Sequence, residues 1–349
     1  MKIAQVSPLA EPVPPIGYGG TERIVAYLSD ELIRRGHEVT LFASGDSQTK
    51  GRLIAGADRA LRLDSKIVDP QAHETFQLAQ VLQQAETFDI IHFHTGYSHF
   101  PLFRGHQTPG VTTFHGRLDI PDLKQLFSEF TDMPVVSISN SQRQPFPEMN
   151  WQGTVYDGLP LDLYKLGDGR GNYLAFLGRI CPEKRVDRAI TIAQRAQMKI
   201  KIAAKIDNVD REYMENTIQP LLDHQLVEFV GEVDRAEKQK LLGDAHALLF
   251  PIDWPEPFGL VMVESMACGT PVIAYRAGSV PEVIDPGLTG FIVESLEQSL
   301  EALKKIHSLD RKLCREVFER RFSSARMALD YLKIYEKLVS AASRQQCSR

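Results

Sequence analysis

The chain has 349 residues, of which 43% are hydrophobic and 24% charged, as in a soluble globular protein with room for two domains. The net charge of −5 argues against a nucleic-acid-binding protein, because such proteins usually present a basic surface. The four cysteines lack C-x-x-C spacing, and neither a signal peptide nor an apolar run long enough to span a bilayer is evident, so we expect a cytoplasmic protein.

Strand-like apolar runs alternate with helical stretches in the first half of the chain. Strands are predicted at residues 3–6, 39–43, 88–93, 110–114 and 135–138. Helices are predicted at residues 21–35, 71–86 and 122–130. This alternation is typical of a parallel sheet whose strands are joined by right-handed crossovers.

A polar, glycine-containing stretch at residues 159–172 interrupts the alternation, which then restarts. Further strands are predicted at residues 173–177, 199–204, 227–230, 247–250 and 272–274, and helices at residues 186–196, 211–223, 235–242 and 260–268. From residue 296 only helical patterning remains, ending with a helix at residues 324–342. The pattern predicts an α/β fold with two Rossmann-like domains, at residues 1–160 and 161–323, followed by a terminal segment at residues 324–349.

The segment at residues 251–271, PIDWPEPFGLVMVESMACGTP, joins a buried strand to a helix. Pro257 stands just before the predicted helix, and Gly269 supplies a left-handed stop after it. Glu256 therefore precedes a helix N-terminus, where free N–H groups suit a phosphate, and Glu264 lies two turns into the helix. A carboxylate in this place can accept hydrogen bonds from sugar hydroxyls. The alternative is that Glu256 is a solvated loop residue and Glu264 a surface position.

A glycine-rich loop, GYGGTE at residues 17–22, follows the first strand. It is not a G-x-G-x-x-G motif, which argues against a nicotinamide dinucleotide. Gly17, Gly19 and Gly20 either form a tight loop capped by Thr21 or allow a phosphate or an acceptor to approach the bare backbone.

Histidines follow two neighbouring strands. His92 and His94 are two residues apart and therefore share one face of a strand. No cysteine or adjacent carboxylate completes a metal set, and His92 is expected to be a core residue. His115 leaves the next strand at the edge where ligands of open α/β sheets bind.

Two cations open the second domain in the run FLGRICPEK at residues 176–184. Arg179 and Lys184 can reach a diphosphate at the carboxyl edge of the sheet and neutralise it without a metal. The alternative is a pair of surface cations ahead of a helix. The chain has no D-x-D motif, so a metal-dependent nucleotide-sugar site has no support.

These segments closely resemble the signature of glycosyltransferase family 4. The resemblance is carried by EPFGLVMVE at residues 256–264, ACGTPVIA at 267–274, GSVPEVI at 278–284 and GLTGF at 287–291. It implies a GT-B fold, in which two Rossmann-like domains face each other across a cleft and the C-terminal helix crosses back to the first domain. FLGRICPEK resembles the family's G-R-x-x-x-x-K-G motif, with Arg185 in place of the last glycine.

The resemblance also implies roles for the site residues. Glu264 would hold the ribose of a nucleotide sugar, Arg179 and Lys184 its diphosphate, and Glu256 the sugar hydroxyls. His115 would face the transferred sugar near its C6 oxygen, with Glu256, His115, Arg179 and Lys184 as the catalytic set. Other donor contacts are expected from Gly19, Gly20, Phe258, Gly259, Leu260 and Val261, and acceptor-side contacts from Gly17 and His94.

The function implied is a retaining hexosyltransferase that acts by front-face displacement and needs neither a metal nor a cofactor. UDP-hexose is the first expectation for the donor and GDP-mannose the second, with a hydroxyl acceptor, no nucleic acid and at most weak peripheral membrane contact through residues 52–66. Three alternatives remain: a nucleotide-sugar sensor without turnover, a sugar-nucleotide epimerase that needs no acceptor, and a phosphorylase-like enzyme with pyridoxal phosphate.

Overall fold

The structure is a computed structural model that describes residues 1–347, with side chains described to residue 344. It separates into two compact units, each with its own sheet. The N-terminal unit comprises Met1–Pro160 and the chain from Ser324 onward, and the C-terminal unit comprises Leu161–Ser323.

The N-terminal unit contains a seven-stranded parallel sheet in the order β3-β2-β1-β4-β5-β6-β7. Its strands are β1 Lys2–Val6, β2 Glu38–Ser44, β3 Arg52–Ala57, β4 Ile90–Phe93, β5 Gly110–Thr113, β6 Val135–Ser137 and β7 Trp151–Thr154. Its first helices are α1 Gly20–Arg34, α2 Pro70–Gln84, α3 Phe100–Phe103, α4 Leu123–Glu129 and α5 Asn140–Arg143. The central strand β1 is buried, since Ile3 pairs with Val39 on one side and Ile90 on the other.

The C-terminal unit contains a six-stranded parallel sheet in the order β10-β9-β8-β11-β12-β13. Its strands are β8 Tyr173–Arg179, β9 Lys199–Lys205, β10 Val227–Gly231, β11 Ala247–Phe250, β12 Val272–Tyr275 and β13 Gly290–Val293. Its helices are α6 Val186–Ala196, α7 Arg211–Tyr213, α8 Gln219–Leu222, α9 Arg235–Asp244, α10 Leu260–Ala267, α11 Val280–Val283, α12 Leu296–Lys305 and α13 Arg311–Arg321. A π-helical turn, Met214–Ile218, connects α7 to α8.

The last helix, α14 Ser324–Cys347, is part of the N-terminal unit. It packs against α1, and Tyr331 and Tyr335 on its inner face are fully buried. Arg326 anchors its first turn by donating a hydrogen bond to the carbonyl of Tyr156 at 2.6 Å. The terminal helix therefore returns to the first sheet.

All ten predicted strands are present, and the three that the sequence analysis missed lie at sheet edges. β3 and β7 are the two edges of the first sheet, and β13 is an edge of the second. An edge strand pairs on one side only and is less deeply buried, so its sequence needs no continuous apolar run. The residues of β7 are all half-buried, which explains why its short sequence gave no signal.

The segment considered for membrane contact is ordered secondary structure in its first half, because residues 52–57 form β3. Two of its arginines are paired, Arg62 with Glu11 at 3.5 Å and Arg59 with Asp46 at 3.9 Å. Within the described residues, no helix combines the length and the apolar character that a bilayer crossing requires.

Candidate functional site

The loop between β11 and α10 begins the candidate donor site of the C-terminal unit. Gly259 precedes α10 with φ of 79° and ψ of 63°, a left-handed conformation that glycine adopts without steric cost. A Cβ at this position would lie 2.8 Å from Met262 Cε and 3.1 Å from the ring of Phe250. Phe258 is buried, and its carbonyl accepts a hydrogen bond from Ser279 Oγ at 2.7 Å. The entry to the helix is therefore fixed by packing on both sides.

The first turn of α10 offers backbone donors near the carboxyl end of the sheet. Leu260 and Val261 open the helix and are half-buried. The N–H groups of a first turn have no partner within the helix and carry the positive end of its dipole. This turn can therefore receive a phosphate or a developing anion.

Glu256 is buried in this loop and contacts Lys184, which follows strand β8. Its Oε2 forms an ion pair with Lys184 Nζ and accepts a hydrogen bond from Trp254 Nε1 at 2.9 Å. The Lys184 ammonium also lies 4.9 Å from the centre of the Trp254 ring, within range of a cation–π contact. Two donors on one oxygen hold the carboxylate in a single orientation.

Arg179, at the end of β8, lies among three carboxylates. Its guanidinium pairs with Glu183 at 2.9 Å, Asp207 at 3.4 Å and Asp210 at 3.5 Å. Burial raises the pKa of Asp210, and the nearby Arg179 charge opposes that change. Asp207 also pairs with Lys205 at 3.1 Å. The Arg179 guanidinium is therefore already paired with carboxylates, and an incoming diphosphate would have to replace some of these contacts.

Glu264 is buried on α10 and has two partners of its own. Its Oε1 accepts from Lys238 Nζ at 2.7 Å and from the Tyr164 hydroxyl at 3.1 Å. Glu256 and Glu264 thus have the same kind of surroundings, because each is a buried carboxylate that contacts one lysine and one aromatic hydrogen-bond donor. Glu256 precedes α10, whereas Glu264 lies in the middle of the helix, about one turn from its start and not two as the sequence suggested.

Arg185 shows how the chain accommodates its departure from the family motif. Its backbone is left-handed, with φ of 53° and ψ of 52°, a conformation that costs a non-glycine residue about 1–2 kcal/mol. The side chain pairs with Asp187 at 2.9 Å and Asp253 at 2.9 Å. Arginine thus occupies a place whose backbone suits glycine, and its ion pairs offset part of the strain.

The glycine-rich loop lies in the N-terminal unit, before α1. The helix starts at Gly20 and has Gly19 as its N-cap, so Thr21 lies inside the helix and does not cap it. A Cβ on Gly19 would lie 2.7 Å from Pro15 Cβ, which explains the glycine by close packing. Gly17 is exposed, and its carbonyl accepts from Arg23 at 2.7 Å. A role for Gly17, Gly19 and Gly20 in ligand binding stays a prediction.

The histidines of the N-terminal unit lie in direct contact. His94 Nδ1 is 2.8 Å from His115 Nε2, and His94 Nε2 is 2.8 Å from Gln5 Oε1. Burial lowers the pKa of His115 to about 4, so its ring is neutral at neutral pH. His92 is buried between Tyr335 and Thr113, as expected of a core residue. Both ring nitrogens of His94 are engaged within the unit, and its acceptor-side role stays a prediction.

Two groups of predicted residues are thus brought together, each within its own unit. In the C-terminal unit Lys184 contacts Glu256. Arg179 is the last residue of β8, and Lys184 ends the short helical turn that follows this strand. In the N-terminal unit His94 contacts His115. Within the described residues, no three His, Cys, Asp or Glu side chains are placed to hold a metal ion.

Several contacting residues escaped the sequence analysis. Trp254 could have been found, because it stands two residues before Glu256 in the signature segment. Asp207 and Asp210 could also have been found, because they follow the predicted strand at residues 199–204 as Arg179 and Lys184 follow the strand at residues 173–177. The others come from distant parts of the chain and have no motif to mark them: Gln5, Tyr164, Lys238 and Tyr335.

Comparison with known proteins matches each unit to a family of glycosyltransferases. Residues 18–145 match the family described as Glycosyltransferase Family 4, and residues 165–320 match Glycosyl transferases group 1. N-acetyl-alpha-D-glucosaminyl L-malate synthase of Bacillus anthracis is 26% identical over 91% of this chain and 93% of its own length.

Solved structures share the fold at low identity. AviGT4, a glycosyltransferase involved in avilamycin A biosynthesis, superposes with a TM-score of 0.74 at 23% identity, over 97% of this chain and 98% of that chain. HepE of Anabaena, solved in complex with UDP and glucose, has a TM-score of 0.74 at 20% identity, over 97% of this chain and 100% of that chain. The two parallel sheets are those of the GT-B fold, and the chain belongs to glycosyltransferase family 4.

Proposed function

We propose that this protein transfers a hexose from a nucleoside diphosphate sugar to a hydroxyl acceptor, with retention of the anomeric configuration. The observation that carries the proposal is the contact between Lys184 and Glu256 beside the first turn of α10. A cation for a departing phosphate and a carboxylate for sugar hydroxyls then lie together at a helix N-terminus. UDP-hexose is the proposed donor, and the UDP complex of HepE, a protein of the same fold, supports that choice.

The donor is held from its nucleoside to its sugar by the C-terminal unit. Glu264, oriented by Lys238 and Tyr164, accepts hydrogen bonds from the ribose hydroxyls. Arg179 and Lys184 bind the diphosphate, helped by the N–H groups of the first turn of α10. Glu256 accepts hydrogen bonds from hydroxyls of the transferred sugar, and His115 accepts one from a further hydroxyl.

Transfer proceeds by front-face displacement. The bond from the anomeric carbon to the diphosphate oxygen breaks, and the acceptor oxygen bonds to the same face of that carbon. The acceptor proton passes to the departing diphosphate, so no protein side chain has to act as a nucleophile. The protein stabilises the charge that develops, positive at the sugar and negative at the phosphate.

The reaction is proposed to need no metal, because fixed cations and a helix dipole face the leaving group. We expect transfer to continue at an unchanged rate in excess EDTA. Coupled detection of the released nucleoside diphosphate measures this directly. Loss of transfer in EDTA that returns with magnesium or manganese would contradict metal independence and leave the transferase proposal intact.

The deciding experiment compares two glutamates that carry the same kind of ion pair. Glu256→Gln removes a charge that faces the sugar, so we expect turnover to fall about 10²–10³-fold, the usual effect of losing one preorganised partner. Affinity for UDP should be retained, since Lys184 is then released from its carboxylate. Glu264→Gln is the matched control, because it also loses a lysine-paired carboxylate but should weaken UDP binding.

Product mass analysis with a panel of nucleotide sugars and acceptors, together with calorimetry of UDP, gives both readouts. Wild-type turnover in Glu256→Gln would contradict the placement of the sugar. Donor binding with no transfer to any acceptor would favour a nucleotide-sugar sensor. Product formed without an acceptor would favour an epimerase.

A further inference from the structure

A buried chain of hydrogen bonds runs from the C-terminal helix to His115, entirely within the N-terminal unit. The hydroxyl of Tyr335 on α14 accepts from Gln5 Nε2 at 3.1 Å. Gln5 Oε1 meets His94 Nε2 at 2.8 Å, and His94 Nδ1 meets His115 Nε2 at 2.8 Å. The side chains of Gln5, His94 and Tyr335 are buried, whereas the ring of His115 is half-buried. The chain of contacts therefore ends at the residue that reaches the surface.

A second branch leaves the same tyrosine. The Tyr335 hydroxyl is 2.6 Å from His92 Nδ1, and His92 Nε2 is 2.7 Å from Thr113 Oγ1. Thr113 in turn contacts the hydroxyl of Tyr331 at 2.9 Å. Three strands and one helix thus contribute to one polar network in an otherwise apolar core. Such a network is costly unless every member is satisfied, so its members constrain one another.

The position of the Gln5 amide fixes where the hydrogens lie. Its carbonyl oxygen can only accept, so His94 carries its hydrogen on Nε2 and accepts at Nδ1. The donor to that nitrogen is then the Nε2–H of His115. Because neutral imidazole carries one hydrogen, His115 Nδ1 presents a lone pair.

The other branch follows the same polarity. The Gln5 amide nitrogen donates to Tyr335, so the tyrosine gives its own hydrogen to His92 Nδ1. His92 then donates from Nε2 to Thr113. Burial holds the pKa of both His92 and His94 well below the ordinary value, which keeps both rings neutral and the polarity defined.

We propose that Gln5 and Tyr335 act through His94 as positioning residues that hold His115 in the Nε2–H tautomer, with Nδ1 ready to accept a hydrogen bond from a sugar hydroxyl. This inference rests on the proposed function, in which His115 meets the transferred sugar. It adds that the tautomer is set by residues from the first strand and the last helix, 330 positions apart in sequence. The C-terminal helix thereby contributes to the site without touching the substrate.

The test reads the tautomer and the kinetics separately. Histidine side chains labelled with ¹⁵N report which ring nitrogen carries the hydrogen, and His115→Asn identifies the His115 signals. We expect the Nε2–H form in the wild-type protein without ligand. Tyr335→Phe frees the Gln5 amide to turn over, which reverses the donor and acceptor order through His94, and should shift His115 toward the Nδ1–H form.

Gln5→Met removes the amide and should leave His94 and His115 as tautomer mixtures. In both variants we expect kcat to fall by about tenfold, the size of one net hydrogen bond, while the donor KM changes far less. Gln77→Met is the matched control, because Gln77 is equally buried in this unit but donates to the Ser7 carbonyl at 3.1 Å and not to a histidine. It should alter neither the tautomer nor kcat.

An unchanged His115 tautomer in both Gln5→Met and Tyr335→Phe would overturn the inference. So would an equal loss of kcat in Gln77→Met, since that would mark a general loss of stability. The tautomer signal needs no catalysis, so absence of transfer in the wild-type protein would contradict the proposed function while leaving the positioning of His115 open to this measurement. Should Gln5→Met fail to fold, Tyr335→Phe decides the question.

Discussion

Arg179 illustrates how a cation can be ready for a ligand without being free. Its side chain is 29% exposed and is shared among Glu183, Asp207 and Asp210. Partial burial and the three carboxylates hold the guanidinium in one position. The carboxylates around it carry more negative charge than the guanidinium neutralises. In the proposed function, an entering diphosphate displaces some of these carboxylate contacts, and its higher charge density favours that exchange.

We expect Arg179→Ala to weaken UDP binding by about 2–5 kcal/mol, because it removes a cation from a partly buried charge group. Uridine carries no phosphate, so its affinity should change little, and calorimetry of the two ligands isolates the diphosphate contribution. Arg185→Ala is the control, since Arg185 is also 29% exposed and paired with two aspartates. Equal losses for UDP and uridine, or equal losses in the two variants, would remove Arg179 from the diphosphate site.

At the residue scale, the sequence predicts which side chains lie at the carboxyl edge of the sheet better than it predicts which side chains contact them. Lys184 and Glu256 are 72 residues apart, yet both follow strands of one parallel sheet, β8 and β11, which are neighbours. The strand-end rule therefore indicated that they could meet. Lys238 lies on helix α9 and not after a strand, so its contact with Glu264 follows no such rule, because the packing of helices decides which side chains approach. Long-range partners of this kind require the structure.

At the scale of elements, helix α10 depends on how it begins. Gly259, in the left-handed conformation, is its N-cap and joins the helix to a buried loop. Phe250 and Met262 close around the glycine and leave no room for a Cβ. The signature segment thus combines backbone freedom and tight packing at one residue. Both demands favour glycine over any other amino acid.

The two demands can be separated by comparing Gly259 with Gly287. Gly287 has φ of 78°, nearly the same conformation, but a Cβ there would meet nothing within 4 Å. We expect Gly287→Ala to cost about 1–2 kcal/mol, the ordinary penalty of the left-handed conformation. Gly259→Ala should cost about 1–3 kcal/mol more, because Phe250 and Met262 must move.

Urea unfolding of both variants gives the free energies, and UDP titration reports the site. Affinity for UDP should fall in Gly259→Ala and remain in Gly287→Ala. Equal destabilisation of the two variants would show that the conformation alone explains the glycine at position 259. Equal UDP affinity would separate the helix entry from donor binding.

The strands show the same division between what the sequence predicts and what it does not. Central strands such as β11 and β12 are buried on both faces and read as continuous apolar runs. Edge strands β3 and β7 alternate poorly and contain Gly56 and Gly153, so they carried no periodic signal. The architecture was predictable because the central strands define it, and the edges were not.

At the scale of the molecule, ionisable groups buried in the N-terminal unit should govern its acid stability. Burial lowers the pKa of four histidines, His92, His94, His99 and His115, to about 3 for His99 and about 4 for His115. Between these values and about 6.5 the unfolded chain binds more protons than the folded one. Stability therefore rises with pH through this window and is lost as the pH falls.

Asp157 acts in the opposite direction. Burial raises its pKa to about 7, and the charge of Arg326 opposes the shift. Between about 4 and 7 the folded carboxyl keeps a proton that the unfolded one has lost, so its contribution to stability declines as the pH rises. Burial also raises the pKa of Glu22, which acts in the same direction as Asp157. Four histidines against two carboxyl groups predict a net increase of stability with pH.

Two substitutions should change the pH dependence of unfolding with opposite sign. His99→Gln removes one of the buried histidines and should flatten the rise in the free energy of unfolding between pH 4 and 6.5, by up to about 1.4 kcal/mol per pH unit. Asp157→Asn removes a carboxyl group that acts in the opposite direction and should steepen the rise by a similar amount. The chain has two tryptophans, Trp151 in the N-terminal unit and Trp254 in the C-terminal unit, so urea unfolding of a Trp254→Phe background reports the N-terminal unit through Trp151 fluorescence alone. A stability that is flat with pH in the parent, or slopes that change with the same sign in the two variants, would contradict the assignment of these buried groups as the source of the acid response.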